Sequence, residues 1–114
     1  TATDINDNMV EMTRKNLQHF NYKAHIEQAD AAHFNIYADG GVVDFPYGFS
    51  CPRNKENEDS MIKNVIAHCK VAAFICGENF SQKLIDCGAE IIEYLNVPAV
   101  NVNRHIYFVR KADV

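Results

Sequence analysis

The sequence predicts a single α/β domain in which a mostly parallel sheet ends in an antiparallel hairpin. Short apolar strands alternate with amphipathic helices along the chain. Lys70 to Cys76 is a continuous apolar run, which is typical of a strand buried on both faces of a parallel sheet. Glu90 to Val97 and Val102 to Arg110 are β-rich, and the short link between them fits a hairpin.

The amino-terminal half is predicted to hold one helix and one short strand. Asn8 to Phe20 carries apolar residues at spacings of three and four, and Asn6 or Asp7 fits its N-cap. Ala24 to Gln28 alternates weakly and is interpreted as a strand. Ala31 to Tyr37 then predicts a turn or a broken helix.

The middle of the chain is predicted to alternate loops, a strand and two helices. Ala38 to Gly41 is interpreted as a loop that leads into a strand centred on Val42 and Val43. Phe49 to Asp59 is polar and is interpreted as a mobile loop. Helices are predicted over two further ranges, Ser60 to Cys69 and Phe80 to Asp86. Three acidic residues are interpreted as solvated, namely Glu56, Glu58 and Asp59.

Composition narrows the function classes that remain open. The chain has 114 residues, of which 47% are hydrophobic and 23% charged, as in an ordinary globular domain. No apolar run approaches the ~20 residues of a membrane span, and no signal peptide is visible, so we expect a cytoplasmic protein. The four cysteines form no C-x-x-C pair, so no metal site is expected. A net charge of −4 argues against strong binding of a phosphate backbone by this chain alone.

Three acidic residues fall at the carboxyl ends of predicted strands: Asp4, Asp30 and Asp44. Ligands of open α/β sheets bind at this edge, so the three carboxylates are candidates for one site. Aspartate is also a common turn and cap residue, which leaves a purely structural role open for each of them.

Asp44-Phe45-Pro46-Tyr47-Gly48 is the most informative stretch, because it directly follows the apolar strand. The Asp44 carboxylate and a backbone carbonyl beside Pro46 could accept hydrogen bonds from both N–H groups of an exocyclic amine on a base. Such acceptors stabilise the positive charge that develops when the amine nitrogen attacks. The Tyr47 ring offers a stacking face for the base. A strand that runs into a turn is the alternative.

The order of these residues resembles the back half of a class I S-adenosylmethionine-dependent methyltransferase. It is most similar to the THUMP-associated tRNA guanine-N2 methyltransferase group. Thr3-Asp4-Ile5 is similar to G-S/T-D-I/L, and Ala29-Asp30-Ala31 is similar to G-D-A. Asp44 to Gly48 occupies the place of D/N-P-P-Y-G, and the chain's last strand is close to R-H-I-hydrophobic-V-R-K.

The resemblance implies S-adenosylmethionine as cofactor and assigns residues to it. Asp4, with Ile5 beside it, would accept hydrogen bonds from the two ribose hydroxyls. Asp30 and the backbone of Ala31 would contact the adenine edge.

The resemblance also implies an RNA substrate, most closely tRNA, and assigns residues to the target base. Asp44 and the backbone around Phe45 and Pro46 would hold the amine, and Tyr47 would stack on the flipped base. Arg104 would approach the substrate, although a solvated hairpin residue is an equal alternative.

Two departures from the family pattern stand out. Phe45 replaces the usual first proline, which puts the substrate in doubt. The first strand and its glycine-rich loop, similar to D-P-F-C-G-T-G, are not found. The implied strand order is 3-2-1-4-5-7-6, so residues 1–114 are expected to be a partial catalytic domain, from the end of the second strand through the seventh. A preceding segment or a partner chain is expected to complete it.

Other functions remain open from the sequence. An adenine- or DNA-directed amino-methyltransferase would use the same motif. A non-enzymatic α/β interaction module, or a degenerate methyltransferase subunit, would keep the acidic strand ends only as caps. A nucleotide-binding oxidoreductase is disfavoured because G-x-G-x-x-G is absent.

Overall fold

The computed structural model describes residues 1–46 and 54–113, which form six strands and three helices. In chain order these elements are β1 (Ala2–Asp4), α1 (Asp7–His19), β2 (Ile26–Gln28), β3 (Ala38–Asp44), α2 (Lys55–His68), β4 (Cys69–Cys76), α3 (Ser81–Asp86), β5 (Ala89–Pro98) and β6 (Asn103–Lys111). Tyr47, Gly48 and the first part of the predicted 49–59 loop lie outside the described residues.

The strands form two sheets. β1 and β2 pair in parallel, while the second sheet has the order β3-β4-β6-β5. β3 and β4 are parallel, and β6 runs antiparallel to both of its neighbours. The predicted α/β class and terminal hairpin are therefore confirmed. The expected strand order 3-2-1-4-5-7-6 also agrees with the observed neighbours on each side of its central strand: β2-β1 corresponds to 3-2, and β3-β4-β6-β5 corresponds to 4-5-7-6. Within the described residues, β1 and β3 do not pair with each other.

The core lies on one face of the four-stranded sheet. Phe74, Tyr107 and Val109 are buried there against Ile62 of α2 and Leu84 of α3. The side chains of the other face, such as Val42 and Val71, are 73% and 49% exposed. The four-stranded sheet is thus covered by helices on one side only in the described part of the chain.

Helix α1 begins where the sequence indicates. The Asn6 side chain accepts hydrogen bonds from the backbone N–H groups of Asn8 and Met9, which satisfies two donors that the first turn leaves unpaired. Val10 is buried, at 1% exposure, on the face that meets β1 and β2. One side-chain cap and one buried face therefore hold this helix.

The predicted loop at Ala38 to Gly41 is wrong, because these residues form the first half of β3. A side chain at Gly41 would place its Cβ 2.8 Å from the Cys69 Sγ atom. Glycine therefore permits the close approach of β3 and β4, although its weak strand propensity suggested a loop.

The predicted start of α2 at Ser60 is also wrong, because the helix begins at Lys55 and is capped by the Asn54 side chain. Glu58 is not solvated as expected: it is 2% exposed, and its Oε1 atom lies 3.4 Å from the Lys83 Nζ atom. This ion pair joins α2 to α3, and a buried charge generally needs such a partner.

None of the helices in the described residues is long and apolar enough to cross a membrane.

Candidate active site

The three predicted carboxylates lie at the carboxyl ends of parallel strands. Asp4 ends β1 and Asp44 ends β3. Asp30 follows β2 by two residues, and the register pairs Asp4 with Gln28, so Asp30 lies just past the end of the neighbouring strand. The amino-terminal sheet thus brings Asp4 and Asp30 to one edge, as the sequence predicts.

Asp4 shapes the turn between β1 and α1. Its Oδ1 atom accepts a hydrogen bond of 2.8 Å from the backbone N–H of Asn6, which is itself the cap of α1. The carbonyl of Ile5 accepts a hydrogen bond of 3.0 Å from the Gln28 side chain. This turn is therefore pinned on both sides. Within the described residues, the Asp4 Oδ2 atom makes no hydrogen bond to protein and could accept one from a ligand.

Asp30 organises the segment after β2 in the same way. Its Oδ1 atom accepts a hydrogen bond of 2.9 Å from the backbone N–H of Ala32. The side-chain amide of Asn64 on α2 donates to the carbonyls of Ala31 and Phe34, at 2.9 and 3.1 Å. No local sequence pattern marks Asn64 for this role, because it lies 33 and 30 residues from these carbonyls along the chain.

Phe45, at the end of β3, is held by both its backbone and its ring. The N–H of Phe45 donates to the carbonyl of Ile75 at 2.9 Å, a bond that proline could not make. Its side chain is 2% exposed and packs against the rings of Phe74 and Phe80, with centroids 5.6 and 5.4 Å away.

The Phe45 ring is therefore a core group, and only its backbone could serve the predicted substrate role. Pro46 follows it and is half-buried. Tyr47, the predicted stacking residue, lies outside the described residues. The acceptor roles of Asp44 and Pro46 stay predictions.

A buried hydroxyl fixes the loop next to Phe45. Tyr107 is fully buried, and its hydroxyl oxygen accepts from the backbone N–H of Phe80 at 3.0 Å and from the Ser81 hydroxyl at 3.3 Å. The same hydroxyl donates to the Asn79 side-chain oxygen at 3.1 Å. Because Phe80 also packs on Phe45, this network sets the wall beside the end of β3. Nothing local in the sequence marks Tyr107 for that role.

Arg104 lies at the same edge of the sheet, near the start of β6, where it is exposed and pairs with Val97 of β5. Since β6 is separated from β3 by β4, Arg104 is two strands away from Asp44.

Metal-ligand clusters, thiol groups and surface grooves are the other features of the described residues that bear on chemistry. Within the described residues, no group of three His, Cys, Asp or Glu side chains could hold a metal ion. Burial raises the pKa of the Cys69 thiol, and burial followed by the charge of Asp59 raises that of Cys87. Such thiols stay protonated near neutral pH and are poor nucleophiles. Two grooves, of about 420 and 370 Å³, lie at the opposite, amino edge of the strands.

Comparison with known proteins identifies the architecture. No protein-family model matches the sequence, and no curated protein matches it either. TrmN from Thermus thermophilus superposes with a TM-score of 0.75 at 16% identity, over 97% of this chain and 36% of TrmN. The chain has a Rossmann-like methyltransferase fold.

The same methyltransferase fold is found in proteins with very different acceptors. The Pyrococcus abyssi tRNA (uracil-54, C5)-methyltransferase gives a TM-score of 0.68 at 19% identity, over 94% of this chain and 27% of that one. Magnesium protoporphyrin IX methyltransferase from Synechocystis gives 0.77 at 13% identity, over 96% and 58%. This chain therefore spans between about a quarter and three fifths of the three proteins. At these identities the likeness establishes the fold alone.

Proposed function

We propose that this chain is part of the catalytic domain of an S-adenosylmethionine-dependent methyltransferase. The acceptor we propose is an exocyclic amine of a nucleobase, most specifically guanine N2 in tRNA, in a cytoplasmic setting. The observation that carries this proposal is that Asp4, Asp30 and Asp44 each lie at, or just past, the carboxyl end of a parallel strand on a methyltransferase fold.

The donor side of the site would be formed by the amino-terminal sheet. The Asp4 Oδ2 atom could accept hydrogen bonds from ribose hydroxyls, since Oδ1 is engaged by Asn6. Ile5 lies beside it and is 66% exposed. Asp30 and the backbone of Ala31 would meet the adenine edge. S-adenosylmethionine, when bound, supplies an electrophilic methyl group.

The acceptor side would be formed at the end of β3. Asp44 and the carbonyl near Pro46 would accept the two N–H groups of the amine, and Tyr47 would stack on the base. Fixed acceptors stabilise the charge that develops on the nitrogen without needing a strong base. Positioning the amine in line with the methyl group supplies the rest of the acceleration.

We also propose that residues 1–114 are a partial domain, completed by a preceding segment or by a partner chain. β1 and β3 both run parallel to their single described partner, and neither pairs with the other. One parallel strand between them would satisfy both edges and join the two sheets. Such a strand would lead into the glycine-rich loop that the family pattern requires.

The experiment is methyl transfer from radiolabelled S-adenosylmethionine to a tRNA transcript. It uses this chain joined to its preceding encoded segment, and in parallel the 114-residue chain alone. We expect transfer only by the longer form. Asp44→Ala should abolish transfer and leave cofactor binding by calorimetry unchanged, whereas Asp44→Asn should keep part of the activity because its amide oxygen still accepts an N–H.

Asp39→Ala is the matched control, since Asp39 lies at the opposite end of β3 and its side chain is 91% exposed. It should leave transfer unchanged. Full activity of Asp44→Ala would reject the assignment of the amine site. A longer form that binds no S-adenosylmethionine would favour the non-enzymatic module instead.

A further inference from the structure

The β5–β6 hairpin extends beyond the edge of the sheet that carries Asp44. Strand registers align Asp44 with Ile75, Ile75 with Ile106, and Ile106 with Leu95, so these four residues form one row across the sheet. Residues 96–105 continue past this row, and we call them the hairpin arm. With strands ~4.8 Å apart, the arm stands about 14 Å or less to the side of Asp44.

The hairpin arm is a built element with its own pairing. β5 and β6 stay paired out to Pro98 and Asn103, and Ala99 donates to the carbonyl of Val102 at 3.1 Å to close the turn. At its base, the Tyr94 hydroxyl lies 2.5 Å from the His105 Nδ1 atom. Three residues of each strand beyond the row amount to about 10 Å of reach.

The hairpin arm presents Arg104 on the same side of the sheet as Asp44. Side chains alternate along a strand, and Arg104 lies two residues from Ile106, which is in the row of Asp44. Val97, the partner of Arg104, is on that side too and is 40% exposed. This is the face that no described helix covers.

The chemistry of the hairpin arm differs from that of the rest of the chain. Val100 at its tip is 99% exposed, and three exposed asparagines surround it, namely Asn96, Asn101 and Asn103. The chain has 15 acidic residues, and all except Asp113 precede Tyr94. The only charged side chain in the arm is the cation of Arg104. In an acidic protein, this element therefore favours a negatively charged partner.

We propose that the hairpin arm binds the RNA nucleotides that flank the target base. Arg104 pairs with a phosphate, the asparagines hydrogen-bond to base edges or sugars, and Val100 packs on an unstacked base, as apolar wedges do at disrupted base steps. Supporting the neighbours lowers the cost of holding one base out of its stack. The identity of the partner as RNA rests on the proposed function.

The test is fluorescence anisotropy of this chain joined to its preceding encoded segment, with a labelled single-stranded RNA of about a dozen nucleotides, at ~50 mM salt. Arg104→Ala and Val100→Asp should each weaken binding at least about threefold. Arg104→Ala should also reduce the slope of log Kd against log salt by about 0.7, the value for one phosphate contact on a single strand.

Lys70→Ala is the matched control for charge, because Lys70 lies near the start of β4 at the opposite edge and its side chain is 82% exposed. Ile85→Asp on α3, where Ile85 is 53% exposed, is the control for the apolar change. Both should bind RNA as the unaltered chain does. Equal effects of arm and control variants would overturn the proposal, as would an unaltered chain that does not bind RNA.

The methyl-transfer assay separates this inference from the proposed function. If the arm variants weaken RNA binding but the protein has no transferase activity, the proposed role of the hairpin arm is upheld and the proposed enzyme function is rejected. Methyl transfer that depends on Asp44, together with RNA binding that neither arm variant changes, would uphold the proposed enzyme and reject the proposed role of the hairpin arm.

Discussion

The amino-terminal region, β1-α1-β2, and the carboxyl-terminal region, β3 to β6, are held together by very different amounts of buried apolar surface. In the first region Val10 is the only buried hydrophobic side chain among the described residues of these three elements. In the second, a continuous cluster that includes Phe45, Phe74, Leu84 and Tyr107 is buried. The residues proposed to hold the methyl donor therefore lie on the weakly packed region, and those proposed to hold the acceptor lie on the strongly packed one.

Polar and aromatic contacts from one helix face connect the two regions. Asn64 holds the carbonyls of Ala31 and Phe34, and the ring of His68 packs between Phe34 and Tyr37, with centroids 5.4 and 4.7 Å away. Helix α2 thus places the segment that follows Asp30. The amino-terminal region can therefore keep its candidate ligand residues in position with few apolar contacts of its own, because the more strongly packed region supplies the contacts that hold it.

The largest expected effect tests this division directly. Phe74→Ala removes a fully buried ring and should lower the free energy of unfolding by about 3–5 kcal/mol. Val10→Ala should lower it by about 2 kcal/mol, because two buried methyl groups are lost. Denaturant unfolding followed by circular dichroism measures both values.

Hydrogen exchange then separates local from global opening. Val10→Ala should reduce protection in α1 and leave β4 protected, whereas Phe74→Ala should reduce protection in β4 and β6. Equal loss in both regions after Val10→Ala would show that they unfold as one unit.

A smaller effect is expected where β3 joins the carboxyl-terminal sheet. Gly41→Ala would bring the new Cβ within 2.8 Å of the Cys69 Sγ atom, and overpacking of this kind costs about 1–3 kcal/mol. Gly40→Ala is the matched control, since its nearest atom would be Val71 Cγ2 at 3.9 Å. It should be neutral, or stabilising by up to about 1 kcal/mol through the unfolded state.

A double-mutant cycle identifies the clash. In the Cys69→Ala background, Gly41→Ala should cost less than in the unaltered chain, because the sulfur is gone. The same cost in both backgrounds would place the strain elsewhere in β3.

The smallest effect is expected at the connection between the regions. Asn64→Ala removes two hydrogen bonds and should cost about 1–2 kcal/mol, partly offset by the better helix propensity of alanine. Protection of the amides at 32–37 should fall most. Lys63→Ala, on the same helix but exposed, is the control and should change neither quantity. If hydrogen exchange of the amides at 32–37 is unchanged in Asn64→Ala, Asn64 does not connect the two regions.

The sequence predicts correctly those elements whose apolar pattern is complete within the element itself. The helix predicted at Asn8 to Phe20 is α1, and the apolar run at Lys70 to Cys76 is β4, each within one residue at either end. The first half of β3 was not predicted, because the need for glycine at position 41 comes from the close approach of Cys69, a residue far along the chain. The first turn of α2 was not predicted, because its charged residues suggested a solvated loop, whereas Glu58 is buried beside Lys83.

The candidate site shows the same limit. Strand ends are marked in the sequence, so the placement of Asp4, Asp30 and Asp44 at the carboxyl ends of parallel strands could be expected. Burial of the Phe45 ring could not be expected, since it depends on Phe80, in the segment between β4 and α3, and on the hydroxyl of Tyr107 in β6. Contacts between distant segments decide which side of a motif faces a ligand.

The open edge of β3 has a consequence for handling the protein. Within the described residues one edge of β3 is unpaired, and beside exposed Val42 and Val71 it is a template for pairing between copies, so self-association should increase with protein concentration. Any polypeptide that pairs with β3 would compete with this self-association. A gain in colloidal stability on adding a candidate completing segment would therefore report its docking before any catalytic assay is available.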